Sequence, residues 1–163
     1  MERLLASPLT PFELIAGYLF GFIVFALIQT LVIMFFMLFI LKIHYAGSLA
    51  SIFLVELILI IGASNMGIFF SSFAKNEFQV AQFIPLVIVP QVFLSGLLWS
   101  IETMPRVLQY LAYALPLTYA NLALRKLMIK GFPLAQTAPE LAVLILFAVL
   151  MIVASIFTIR KNL

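Results

Sequence analysis

The chain has no cysteine, one histidine and few charges. The missing cysteine excludes a disulfide framework and any thiolate-ligated metal. His44 alone cannot assemble a metal site, so none is expected. Charged residues make up 9% of the chain and the net charge is +3, spread along its length. That is too little and too dispersed for a nucleic-acid partner. It is also too little to cover a soluble domain, in which about a quarter of residues are charged. Nucleotide-binding signatures are absent: there is no glycine-rich loop closed by Lys-Ser or Lys-Thr and no GxGxxG. Neither a Ser-His-Asp set nor paired carboxylates stand out, so no catalytic residue is assigned and the chain is not expected to be an enzyme.

What fills the sequence instead is hydrocarbon. Hydrophobic residues account for 66% of it. A spanning helix needs about 20 mostly apolar residues, and four segments qualify: Leu14 to Leu41, Leu49 to Phe73, Phe78 to Trp99 and Leu141 to Ile159. With their flanks these give expected spans at 12–41, 49–73, 78–99 and 139–159. The first is long; at the rise of an α-helix it reaches roughly 42 Å against a core of about 30 Å, so it tilts or projects. The amino terminus lacks the layout of a cleaved signal peptide, because two prolines precede an apolar run too long for one.

The links between segments differ in kind. Residues 42–48 (KIHYAGS) and 74–77 (AKNE) are short and polar, and join antiparallel neighbours. The stretch from Ser100 to Pro139 is about 40 residues long. Within it, Val107 to Ala114 and Tyr119 to Ile129 have helical composition and are divided by Leu115-Pro116. Neither is long enough to span, so they read as short helices dipping into one membrane face or lying on it. A second reading makes Tyr110 to Leu124 a fifth span and separates the termini. Four spans put both termini on one side. Basic residues do not orient that arrangement: Arg3, Lys75, Arg160 and Lys161 face Lys42, Arg106, Arg125, Lys126 and Lys130, four against five.

Glu2 to Leu9 is short and amphipathic, and reads as a surface helix or a frayed tail. Thr10 and Pro11 suit the cap and first position of the helix that follows. Glu56 is the only acidic residue well inside a span, which makes it a functional candidate. Its position near one interface is the competing explanation. Gln29, Asn65, Gln82 and Gln91 are neutral polar residues inside spans, suited to interhelical hydrogen bonds or to a polar path. Gln91 and Ser95 share a face, whereas Gln82 points the opposite way on a straight helix, and Pro85 and Pro90 lie between. Gly17 and Gly21 form a GxxxG, and Ala63, Gly67 and Ser71 a small-residue stripe; both permit close helix approach. Phe20, Phe22, Phe25, Phe35, Phe36 and Phe39 are expected to face lipid, with an aromatic substrate cavity as the other reading.

Two stretches carry a resemblance. "ERLLASPLTPFELIAGYLFG" resembles the cytoplasmic segment leading into the third span of type-2 ATP-binding-cassette (ABC) exporter permeases. The region from Ser71 to Gly131 is similar to that family's signature: Leu-Ser-Gly ending a helix, Met-Pro shortly after, then Leu-Gln, then Pro-Leu-Thr-Tyr. The match covers the C-terminal two-thirds of such a membrane subunit.

The resemblance implies an all-α membrane protein with four transmembrane helices, an N-terminal amphipathic coupling helix and a re-entrant helical hairpin before the last span. Glu2, Arg3, Leu4, Leu5, Ser7 and Pro8 would couple to a cytosolic ATPase subunit, which binds ATP and Mg; this chain binds no cofactor. The hairpin, 104–130, would lie outside and cover the exit, with Ser95, Gly96, Met104, Pro105, Leu115, Pro116, Thr118 and Tyr119 at the pathway. Implied partners are the lipid bilayer and a second copy or a second permease; the implied location is the cell (inner or plasma) membrane, with both termini cytoplasmic. Substrates would be amphipathic or polymeric and move outward. The family's membrane domain has six spans, so the first two are expected to be missing from this chain. A membrane scaffold or assembly protein without transport of its own is the alternative.

Overall fold

The computed structural model describes residues 11–74 and 76–162. They form an all-helical protein. Helix α1, Pro11–Phe35, continues into a π-helical turn at Phe36–Ile40. Helix α2 is Leu49–Ser71 and α3 is Glu77–Leu94. Two shorter helices follow, α4 at Arg106–Tyr113 and α5 at Pro116–Met128. Helix α6, Ala138–Asn162, closes the chain. Four helical stretches are long and apolar enough to cross a membrane: Ala16–Ile40, Leu49–Ser71, Glu77–Leu94 and Leu134–Thr158. The expected surface helix at Glu2 to Leu9 and the cap at Thr10 lie outside the described residues.

Local chemistry explains the boundaries. In the polar link, Asn76 caps α3, its side chain accepting from the Gln79 amide at 2.8 Å. Pro85 and Pro90 sit inside α3, which still runs as one helix to Leu94. It stops five residues short of Trp99, because Gly96 turns the chain at φ 79°. A Cβ there would also press on the Ile101 side chain. Pro116 opens α5 from its first turn, where no intrahelical donor is lost. The Thr137 hydroxyl bonds back to the Leu134 carbonyl at 2.7 Å and closes the turn that leads into α6.

The bundle is unevenly packed. Helix α2 lies closest to α6, and α5 is seated against both. Their shared core contains Ile52 and Val55 of α2, Ala120, Ala123 and Leu127 of α5, and Leu144 of α6. Small side chains at positions 120 and 123 let α5 approach closely. Gly62 does the same for α2, since a Cβ there would lie 3.0 Å from the Phe147 ring. Helix α3 meets α2 only lightly, despite their short link, and rests instead on α4 and α5. Gly17 and Gly21 have no neighbouring atom within 4 Å of an added Cβ, and neither has Gly67. The six phenylalanines named above, in α1 and the turn that follows it, are exposed.

Candidate functional site: the joint between the third span and the helical hairpin

Helices α4 and α5 form a hairpin knotted by side chain to backbone bonds. The Thr118 hydroxyl donates to the Ala112 carbonyl at 2.6 Å, and the Tyr119 hydroxyl to the Tyr113 carbonyl at 2.8 Å. These two bonds satisfy carbonyls at the end of α4, which the helix itself leaves open. At the other end, the Gln109 amide donates to the Met104 carbonyl at 2.8 Å. Ile101, Met104 and Ala112 are buried together beside Leu94. Pro105 supplies the carbonyl that accepts from the Leu108 amide at 2.9 Å and begins α4. Leu115 and Pro116 form the corner between the helices, Pro116 buried and Leu115 half-buried.

The hairpin grips the end of α3. Asn121 donates to the Ser95 hydroxyl at 2.9 Å and to its carbonyl at 3.3 Å. Arg125 donates to the Gly96 carbonyl at 2.7 Å. Both come from one face of α5, four residues apart. They cap the carbonyls of a proline-bearing helix at the point where Gly96 ends it. Beside this joint lies a cavity of about 270 Å³, lined in part by Ser95, Gly96, Asn121, Arg125 and Lys130. Lys126, also in its lining, pairs with Glu140 at 2.7 Å and ties the hairpin to α6.

The loop after α1 docks on the same hairpin. The Ala46 amide donates to the Met128 carbonyl at 2.9 Å. Gly47 abuts the Leu127 carbonyl so closely that no side chain fits between them. Gly131, at φ 64°, packs against Ala46. One end of the bundle therefore gathers the first loop, the end of α3, the hairpin and the start of α6.

All eight residues expected at the exit, Ser95, Gly96, Met104, Pro105, Leu115, Pro116, Thr118 and Tyr119, fall in this assembly. The intramembrane polar residues divide. Gln91 is buried and its amide lies 3.8 Å from the Met66 sulfur. Asn65 is fully buried; its amide bonds the Ile61 carbonyl at 2.8 Å, and its own carbonyl accepts from the Ser155 hydroxyl at 3.0 Å. Among the described residues its side-chain oxygen has no partner. Glu56 is half-buried on α2 and faces the Thr30 side chain of α1. Gln29 and Gln82 are exposed, away from any joint path. Glu2, Arg3, Leu4, Leu5, Ser7 and Pro8 lie outside the described residues. Among the described residues no three potential metal ligands cluster. Sequence reasoning missed Asn121, Arg125 and the Lys126–Glu140 pair; the four-residue spacing of Asn121 and Arg125 was their only local signal.

The sequence is matched by a family model. The description is "ABC-2 type transporter", and residues 1–129 are covered. The chain belongs to the ABC-2 type transporter family. "Probable multidrug ABC transporter permease YbhS" of Escherichia coli is 30% identical over 132 residues, 80% of this chain and 35% of that protein. "ABC transporter G family member 20" of Dictyostelium discoideum is 24% identical over 162 residues, covering 99% of this chain and 22% of the relative. "Linearmycin resistance permease protein LnrN" of Bacillus subtilis is 25% identical over 159 residues, 98% of this chain and 41% of the relative. The chain thus spans between about a fifth and two-fifths of the lengths of these ABC-2 relatives. No solved structure matches it significantly. Family membership and the four apolar helices together make this a multi-pass membrane protein of permease type.

Proposed function

We propose that the chain belongs to the membrane subunit of an ABC exporter, moving an amphipathic or polymeric substrate outward with ATP hydrolysed by a separate subunit. The hairpin joint is the observation that carries this reading. It gathers the ends of several spans at one membrane face and fixes α3 to α5 through Asn121 and Arg125. A closure built this way can follow rocking of the spans without exposing bare backbone to lipid. The relatives' names, multidrug transporter permease and linearmycin resistance permease, accord with an outward direction.

In this reading the hairpin end faces outward and both termini are cytoplasmic, in the cell membrane. Glu2, Arg3, Leu4, Leu5, Ser7 and Pro8 meet the ATPase, and ATP with Mg binds there, not on this chain. A second copy or a second permease supplies the other half of the pathway, against the exposed faces of α1 and α3. Ser95, Gly96, Met104, Pro105 and the Leu115-Pro116 corner serve as the exit cover.

Two measurements test it. The full chain, co-expressed with its ATPase subunit, co-purifies with it, and reversing charge at Glu2 and Arg3 abolishes the association. A chain that stays stable and binds no ATPase under any nucleotide condition is a scaffold instead. Because the chain lacks cysteine, Ser100→Cys or Thr103→Cys gives a single label site. An impermeant thiol reagent should reach it from outside; labelling from the cytosol alone reverses the topology.

A further inference from the structure

The cavity beside the joint has features that capping a helix does not require. Three cationic side chains line it: Arg125, Lys126 and Lys130. Lys126 is neutralised by Glu140. Arg125 uses one guanidinium nitrogen on the Gly96 carbonyl, which fixes its position and leaves its remaining donors free to meet an anion. The Lys130 ammonium lies 5.8 Å over the Phe132 ring; among the described residues it has no carboxylate partner. Opposing them in the lining is one carboxylate, Glu102, which is exposed. At about 270 Å³ the space is smaller than most drug-sized pockets and suits a compact polar group.

Its depth in the membrane follows from its neighbours. The cavity opens where α3 ends, next to Trp99, whose ring lies 5.5 Å from Phe93 and is 43% exposed. A Trp at the end of an apolar span marks the headgroup layer. Leu97 and Leu98, just before it in the chain, are exposed. A charged concavity at that level, next to the exposed end of an apolar span, fits a group whose charge belongs in the cavity and whose chains belong in lipid.

We propose that this cavity binds a phosphate group, held between Arg125 and Lys130 and presented by an anionic lipid headgroup or free in solution. Glu102 is the internal competitor: its carboxylate shares the cavity with the same cations and is displaced when phosphate enters. The site does not depend on the direction of transport or on an ATPase partner.

Trp99 is the only tryptophan in the chain, so it reports directly. The full chain is reconstituted in vesicles containing brominated phosphatidylglycerol or brominated phosphatidylcholine, and Trp99 quenching is titrated. Half-quenching should need less of the anionic lipid. Lys130→Gln or Arg125→Gln should lower that preference about fivefold each, the weight of one basic residue at a membrane surface. Arg125→Lys should keep most of it, and Glu102→Gln should raise it. Lys42→Gln, a charge change on the exposed loop outside the cavity, should leave it unchanged. Equal quenching by the two lipids overturns the proposal, provided that excess inorganic phosphate also leaves Trp99 emission unchanged. So does an equal loss in Lys42→Gln and Lys130→Gln, which reduces the effect to general surface charge. Excess inorganic phosphate separates the sources: if it abolishes the preference the ligand is free phosphate, and if it does not the ligand is the lipid. Thermal unfolding of each variant in detergent shows whether a lost preference accompanies lost structure; Lys130→Gln, which removes only a ring contact, should unfold as the wild type does.

Discussion

Helices α1 and α2 are both apolar enough to span, yet they meet opposite surroundings. Along α2, Ile52, Val55, Gly62 and Asn65 are buried against α5 and α6. Along α1, large side chains such as Phe20, Phe25 and Val32 stand exposed. Hydrocarbon content alone does not separate them. In a membrane, lipid is as apolar as a leucine, so burial between helices is driven by shape and by polar bonds. Helix α2 has Gly62 to admit the Phe147 ring and a neighbour, α5, with alanines on its facing side. Helix α1 offers bulk on most of its faces, and its two glycines meet no other helix.

Substitutions can break that contrast. The largest effect is expected from Leu127→Ala. Leu127 is fully buried between α2, α5 and α6, and truncation leaves a cavity worth about 3 kcal/mol. The matching change Phe25→Ala, on an equally apolar but 75% exposed side chain, should cost under ~0.5 kcal/mol, because lipid refills the space. Unfolding in detergent or by steric trapping compares the two; similar losses would erase the distinction between regions. Gly47→Ala comes next, at about 2 kcal/mol, since its methyl group meets the Leu127 backbone rather than a movable side chain. The signature is loss of protection in residues 42–48 and at the end of α5 together; a change confined to the loop contradicts the docking. Asn121→Leu follows, at about 1 kcal/mol, the usual worth of an interhelical amide bond in lipid. It should free the end of α3 without unseating α5, so a spin label at Trp99 gains mobility while one at Leu124 does not.

Much of this plan was legible in the residues. Long apolar runs marked the spans and Leu115-Pro116 divided the two short helices, whereas the third span was expected to reach Trp99 and stops at Leu94. The signals that served are local: a run length and a ring without an amide proton. The bonds that turn those pieces into a joint are not local. Asn121 reaches Ser95 across 26 residues and Arg125 reaches Gly96 across 29. Composition cannot indicate which distant carbonyl an amide will find. Small residues divide for a related reason. The pattern at Gly17 and Gly21 is the better-known motif, yet within this chain the close approaches are made by Gly47, Gly62, Ala120 and Ala123. A small side chain permits contact; which neighbour arrives is decided elsewhere in the chain.

The seat of α5 has a consequence for how the molecule is assembled. Part of that seat, Ile52 and Val55, is made before the hairpin. The rest, Leu144 and the Glu140 partner of Lys126, is made after it. A growing chain that has reached residue 137 therefore holds a finished hairpin with half a socket. Until the final helix enters the membrane, Ala120, Ala123 and Leu127 face lipid or solvent, and Lys126 waits without its counter-charge. The piece that completes this joint is made after the parts it locks.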